Sequence, residues 1–242
     1  MIVLHKEKII ALKARKVGGT SFEIALSKYA DEKSVITPII DEDEKLRSQL
    51  NFKAPQNYQY TTEELKKLPL SIKIQMPFTK KKRLKFYNHM PAALVKKRLG
   101  ESIWETYTKV AIIRNPFDYM VSSFFWELKT KKNKFNLNFE EYVLKKGKKL
   151  FANDKIYKIN NENIINHMIR YDRLEQDMLC LEDMHQSLKG LTETFKNLST
   201  KGGYRPKSAT SKEMFANAPL ALEYILKSCS ENIKKYEFDV PN

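Results

Sequence analysis

Lys8-Ile9-Ile10-Ala11-Leu12, followed by Arg15-Lys16-Val17-Gly18-Gly19-Thr20-Ser21, is the stretch whose reading decides the fold. The first piece reads as a short buried strand. Lys16 to Gly19 reads as a turn, and a helix starts near Thr20, because Phe22, Ala25, Leu26 and Tyr29 recur at i, i+3, i+4 and i+7. A strand, a glycine turn and a helix start leave backbone N–H groups pointing into one space, where the helix dipole adds positive potential. Two glycines let a ligand approach the backbone closely. Lys16 adds a charge, and Thr20 and Ser21 add hydroxyls. The same residues also read as an ordinary strand-to-helix turn with Thr20 as its N-cap. A Walker A loop needs G-x-x-x-x-G-K-[ST], and here the lysine precedes the glycines, which counts against an ATP-dependent kinase.

Working outward, Tyr107 to Ile113 is the clearest strand, and it runs into Arg114-Asn115-Pro116. Asn115 suits an N-cap and Pro116 the first helical position. Phe117, Met120, Val121, Phe124 and Leu128 then line one helix face. Arg114 can hold a phosphate bidentately, and Ser122, two turns into the helix, can join it on one anion. Alternatively, Arg114 pairs with a carboxylate and Ser122 is a small packing residue. Further strands are expected over Ser34–Ile40, Leu84–Asn88 and Ile164–Tyr171. Helices are expected near Phe139–Leu144, from Leu174, and over Ser211–Tyr236. This alternation implies an α/β fold with a central parallel sheet flanked by helices, whose ligands sit at the carboxyl ends of the strands. Lys16 and Arg114 both follow strands, so both belong on that edge. The chain reads as a single domain over 1–242, with helical and loop insertions at about 41–83 and 125–160. The run Lys80-Lys81-Lys82-Arg83 reads as a solvated face or an acceptor-binding edge.

The totals narrow the function without choosing it. With 242 residues, 42% apolar and 11% aromatic, the chain can bury a sizeable core. The net charge of +15 fits an anionic ligand (nucleotide, acidic glycan or nucleic acid), but lysine-rich composition alone also produces it. No aromatic-interleaved basic motif or known module points to nucleic acid. Cys180 and Cys229 make no disulfide framework and no metal spacing. Met1 to Lys6 lacks the apolar run of a signal peptide, and no stretch approaches a membrane span. A soluble, cytoplasmic protein is expected.

Lys16 to Ser21 and Arg114 to Ser122 together resemble the PAPS-dependent sulfotransferases, in particular the carbohydrate-type branch (PAPS is 3′-phosphoadenosine 5′-phosphosulfate). That family's 5′-phosphosulfate loop has the form P-K-x-x-[GS]-T-[ST]; Arg15 stands here where proline is common. Its 3′-phosphate motif is R-[DN]-P with a serine eight residues after the arginine, matched by Arg114, Asn115, Pro116 and Ser122. Arg170-Tyr171-Asp172-Arg173-Leu174 resembles the family's R-[YF]-E-x-L strand, with Asp for Glu. Gly203-Tyr204-Arg205-Pro206 and Ile233 to Phe238 look like its final nucleotide loop and helix. The resemblance implies a P-loop-NTPase-like sulfotransferase fold and an enzyme that moves a sulfuryl group from PAPS to a hydroxyl, with PAP as product. Its acceptor would be a carbohydrate, with no metal and no nucleic-acid partner; the oligomeric state is not implied. It assigns donor binding to Arg15, Lys16, Gly18, Gly19, Thr20, Ser21, Arg114, Ser122, Tyr204 and Arg205. Lys16 would be catalytic at the leaving phosphate. His89, in Tyr87-Asn88-His89-Met90-Pro91, stands where several such enzymes have a histidine general base. His89 also reads as a capping or packing residue, and Glu23 and Glu44 are weaker carboxylate candidates. A small-molecule or nucleotide kinase and a non-enzymatic binder of acidic glycan or nucleic acid are the alternatives.

Overall fold

Ile2-Val3-Leu4 and Ile9-Ile10-Ala11-Leu12 are too apolar to face water on either side, and they pair with each other at the centre of a sheet. The computed structural model describes residues 1–70, 84–131, 135–198 and 205–241. In it β1 (Ile2–Leu4) runs antiparallel to β2 (Ile9–Leu12), with Val3 opposite Ile10. β3 (Val35–Ile36) pairs antiparallel to the other side of β1. β4 (Thr108–Ile113) lies parallel to β2, with Ala11 opposite Val110. After a small ribbon of β5 (Lys158–Ile159) and β6 (Glu162–Asn163), β7 (His167–Arg170) lies parallel to β4. The sheet order is β3-β1-β2-β4-β7. β3, β2, β4 and β7 therefore share one direction and β1 alone opposes them. β1 and β2 are buried along their whole length, as expected of strands covered on both faces.

The α/β class and the mostly parallel sheet agree with the sequence reading, and the differences from it are local. β1 was not foreseen. The strand expected over Ser34–Ile40 is only Val35–Ile36, because Thr37 already donates to Met1 and Pro38 has no N–H to continue a ladder. Leu84–Asn88 is not a strand. Leu84 makes a single bridge to Gln59, and the N–H groups of Lys85 and Phe86 both go to the Tyr58 carbonyl. The stretch from Ser211 to Tyr236 is three helices, Ser211–Ala216, Pro219–Ser228 and Ser230–Lys235, because Pro219 restarts the chain at a first helical position. The basic run Lys80–Arg83 lies outside the described residues.

Four helices position the edge where β2, β4 and β7 end. α1 (Gly19–Ser27) follows β2, and its residues Ser21 to Ser27 are all buried. α2 (Asp41–Gln49) sits within the expected insertion. α3 (Pro116–Lys131) follows β4 and anchors a second apolar cluster. Phe124 there meets Phe125, Phe135, Phe139 and Tyr142 edge-on at 5.2–5.5 Å. α4 (Leu174–Met184) follows β7. Among the described residues no helix is long and apolar enough to cross a membrane.

Tyr157 ties the ribbon segment to the strand that carries Arg114: its buried hydroxyl donates to the Ile112 carbonyl at 2.7 Å. Tyr157→Phe removes that bond with little change in volume. It should lower stability by about 1 kcal/mol and the melting temperature by roughly 2–4 °C, measured by thermal unfolding.

Candidate active site

The chain leaving β2 must reverse sharply to enter α1, and it does so through two left-handed residues. Lys16 has φ +61° and Gly18 has φ +75°. Only glycine fits at 18: a Cβ there would come 3.0 Å from the Tyr171 ring, in a backbone conformation already strained for other residues. Gly18, not Thr20, is the N-cap; the helix begins at Gly19, which places Thr20 and Ser21 in its first turn. Those are the positions whose N–H groups lack an intrahelical acceptor. Ser21 is buried, Thr20 and Lys16 are partly exposed, and the Arg15 side chain is exposed.

Lys16 carries a non-glycine residue into the left-handed region at a cost of roughly 1–2 kcal/mol, so its neighbours must hold it. Asn153, buried just before the helical turn Asp154–Tyr157, accepts from the Arg15 N–H at 2.9 Å and donates to the Arg15 carbonyl at 3.1 Å. One amide side chain thus pins both backbone groups of the preceding residue. Arg114 holds the other side, donating from Nη1 to the Lys16 carbonyl at 3.0 Å.

That last bond places the two loops on one edge of the sheet. The same Arg114 nitrogen lies 3.2 Å from Ser122 Oγ. Its Nε pairs with Asp118, and its guanidinium lies 4.2 Å from the centre of the Tyr171 ring, the first residue after β7. Asp118 also binds Arg205, whose Nε donates to the Ala209 carbonyl. Burial would raise the Asp118 pKa, but the two arginines hold it below the usual carboxylate value. The alternative reading of Arg114 as a carboxylate partner is therefore present together with its contact to Ser122. Tyr204 and the glycines of its loop lie outside the described residues.

His89 sits beside the start of the same loop. Its backbone is left-handed, φ +59°, and Nδ1 lies 3.1 Å from the Lys13 carbonyl. A carbonyl only accepts, so Nδ1 carries the hydrogen and Nε2 keeps its lone pair. Burial first, and then the Arg15 charge, lower the imidazole pKa to about 4. The ring is neutral at pH 7. The carboxylate candidates are engaged elsewhere. Glu23 is buried against Lys13 and the Met1 amino group. Burial alone would raise its pKa, and those two cations bring it to about 2. Glu44 binds Arg47 and accepts from the Ile39 N–H.

A cleft beside Arg114, lined by Val17, Asn153, Tyr157, Tyr236 and Phe238 among others, encloses about 70 Å³.

A model of the sulfotransferase family matches residues 1–239, nearly the whole chain. The chain belongs to the sulfotransferase family. Comparison with curated proteins and with solved structures found no match in either. As a member of that family this sulfotransferase is a transferase of sulfuryl groups.

Sequence reasoning missed Asn153, Asp118, Tyr171 and the Lys13–Glu23 pair as parts of this edge. Asp118 and Tyr171 lay inside quoted motifs without a role; Asn153 carried no local signal. Asn153→Ala should speed hydrogen exchange of the Arg15 amide by roughly tenfold or more, since that amide loses its acceptor. A second check is acid stability. Glu23 has a depressed pKa in the folded state, so its contribution is present above about 4.5 and is lost as pH falls toward 2. Glu23→Gln should flatten that acid limb in pH-dependent unfolding.

Proposed function

We propose that this sulfotransferase is a PAPS-dependent O-sulfotransferase whose acceptor is a carbohydrate hydroxyl. The observation that carries the reading is the reach of Arg114, which donates to both the Lys16 carbonyl and Ser122 Oγ and so joins the two loops. The distance between the 5′-phosphosulfate and the 3′-phosphate of one nucleotide suits two loops on adjacent parallel strands. Lys16 and the first turn of α1, with Gly18, Gly19, Thr20 and Ser21, take the 5′ end, and Arg15 adds charge at its rim. Arg114 and Ser122 take the 3′-phosphate, with Arg205 held beside Arg114 by the shared Asp118; Tyr204 joins them on the resemblance alone. The carbohydrate acceptor is supported by the resemblance of these motifs, and of His89, to the carbohydrate-type branch.

In the transfer step the acceptor oxygen attacks sulfur in line with the bridging oxygen of the donor. The new S–O bond forms as the bond from sulfur to that oxygen breaks. Negative charge grows on the departing 5′-phosphate, where the Lys16 ammonium offsets it. The acceptor proton passes to Nε2 of His89, held in the correct tautomer by the Lys13 carbonyl. An imidazole that is neutral at pH 7 is ready to accept. Bound donor anions would favour the imidazolium and so raise the pKa of this ring.

The primary test is PAP binding by calorimetry and thermal shift. At 100 times its Kd, PAP should stabilise the protein by about 2.7 kcal/mol. Arg114→Ala should weaken PAP by about 10- to 100-fold, and adenosine 5′-phosphosulfate, which lacks the 3′ group, much less. Equal losses for both ligands would remove Arg114 from the 3′ subsite. Once an acceptor is found, His89→Ala should leave PAP affinity within about twofold. It should lower kcat/KM by about 10²–10⁴ and abolish the acidic limb of the rate at saturating donor.

A further inference from the structure

The Lys16 ammonium lies 4.0 Å from the centre of the Trp126 ring. Trp126 stands on α3 one turn beyond Ser122, and its side chain is 39% exposed. The backbone on both sides of this contact is fixed. Asn153 pins Arg15, and Arg114 holds the Lys16 carbonyl. What remains adjustable is the four-carbon stem of Lys16, which can deliver its charge to one place at a time. An ammonium over an indole face is stabilised by the ring quadrupole, and the attraction is modest where water still reaches the pair.

We propose that Trp126 is a positioning residue for the donor-site cation: its ring holds the Lys16 ammonium while the site is empty, and a bound 5′-phosphate draws it away and uncovers the ring. This rests on the reading of Lys16 as the donor cation. Indole and phosphate then compete for one charge. Donor affinity is lowered by the strength of the contact, and filling of the donor site is reported at a surface aromatic face beside the point of transfer. The exposed face released in this way has the chemistry to meet the C–H face of a sugar ring.

The experiment uses the whole chain with PAP as probe. Trp104, the other of the two tryptophans, is buried beneath Lys109, so a ligand-linked change in indole emission reports Trp126. PAP should shift the emission of the wild-type protein, and Trp126→Leu should abolish the shift. By calorimetry Trp126→Leu should bind PAP about two- to fivefold more tightly, and Trp126→Phe, which keeps a weaker ring face, should fall between. In a Lys16→Met background the Trp126 substitutions should no longer affect PAP affinity. Unchanged or weaker PAP binding by a Trp126→Leu protein of normal melting temperature would overturn the proposal, as would equal tightening in the Lys16→Met background. Absence of PAP binding to the wild-type protein would overturn the donor reading itself, and this proposal with it.

Discussion

Arg114 divides its guanidinium among the Lys16 carbonyl, Ser122, Asp118 and the face of Tyr171. The four partners come from three parts of the edge: the loop after β2, two positions on α3, and the first residue after β7. A planar group with donors in a fixed fork can satisfy such a set, and a lysine cannot. The left-handed turn at Lys16 is held by it at the carbonyl. The parallel register of β2 and β4 sets the two loops side by side, and this contact ties them directly. A ligand with charge at both ends needs their spacing set in advance.

Charge balance explains why the edge tolerates so many cations in close quarters. Asp118 sits between Arg114 and Arg205 and keeps both fixed before any ligand arrives. Glu23 does the same one layer deeper, where Lys13 would otherwise be a buried, unpaired ammonium. His89 receives the opposite treatment. Burial first, and then Arg15, outweigh the pull of the Glu23 carboxylate and leave the ring neutral. The arrangement separates fixed charges that attract an anion from a neutral lone pair that can accept a proton.

Much of this was legible along the chain. The strand–glycine–helix run at Ile9 to Ser21 and the strand–Asn–Pro–helix run at Thr108 to Ser122 each carry their signal within about fifteen residues, and both formed as read. What was not legible depends on distant partners. β1 is three residues long and gains its hydrogen bonds from strands on both sides, so its own pattern is too short to mark it. Leu84–Asn88 has the composition of a strand, yet its amides turn to Tyr58 and its last side chain to Pro38. Asn153 acts on Arg15 from far along the chain. The ribbon at Lys158–Asn163 did carry a local sign, two successive asparagines, Asn160 and Asn161, both at positive φ in a two-residue hairpin turn.

The order of strands also governs how the edge comes into being. β1 and β2 form a hairpin whose paired residues are near neighbours in sequence, so that contact closes early and at small entropic cost. β2 and β4 pair residues about a hundred positions apart, with Ile9 opposite Thr108. Parallel pairing over that separation is intrinsically slow, because a long chain segment must be confined before any contact rewards it. Everything that brings Arg114 to Lys16 waits for that step. A refolding chain will therefore regain hairpin and helix signals before Arg114 meets the Lys16 carbonyl, and the interval between the two measures the closure of β4 onto β2.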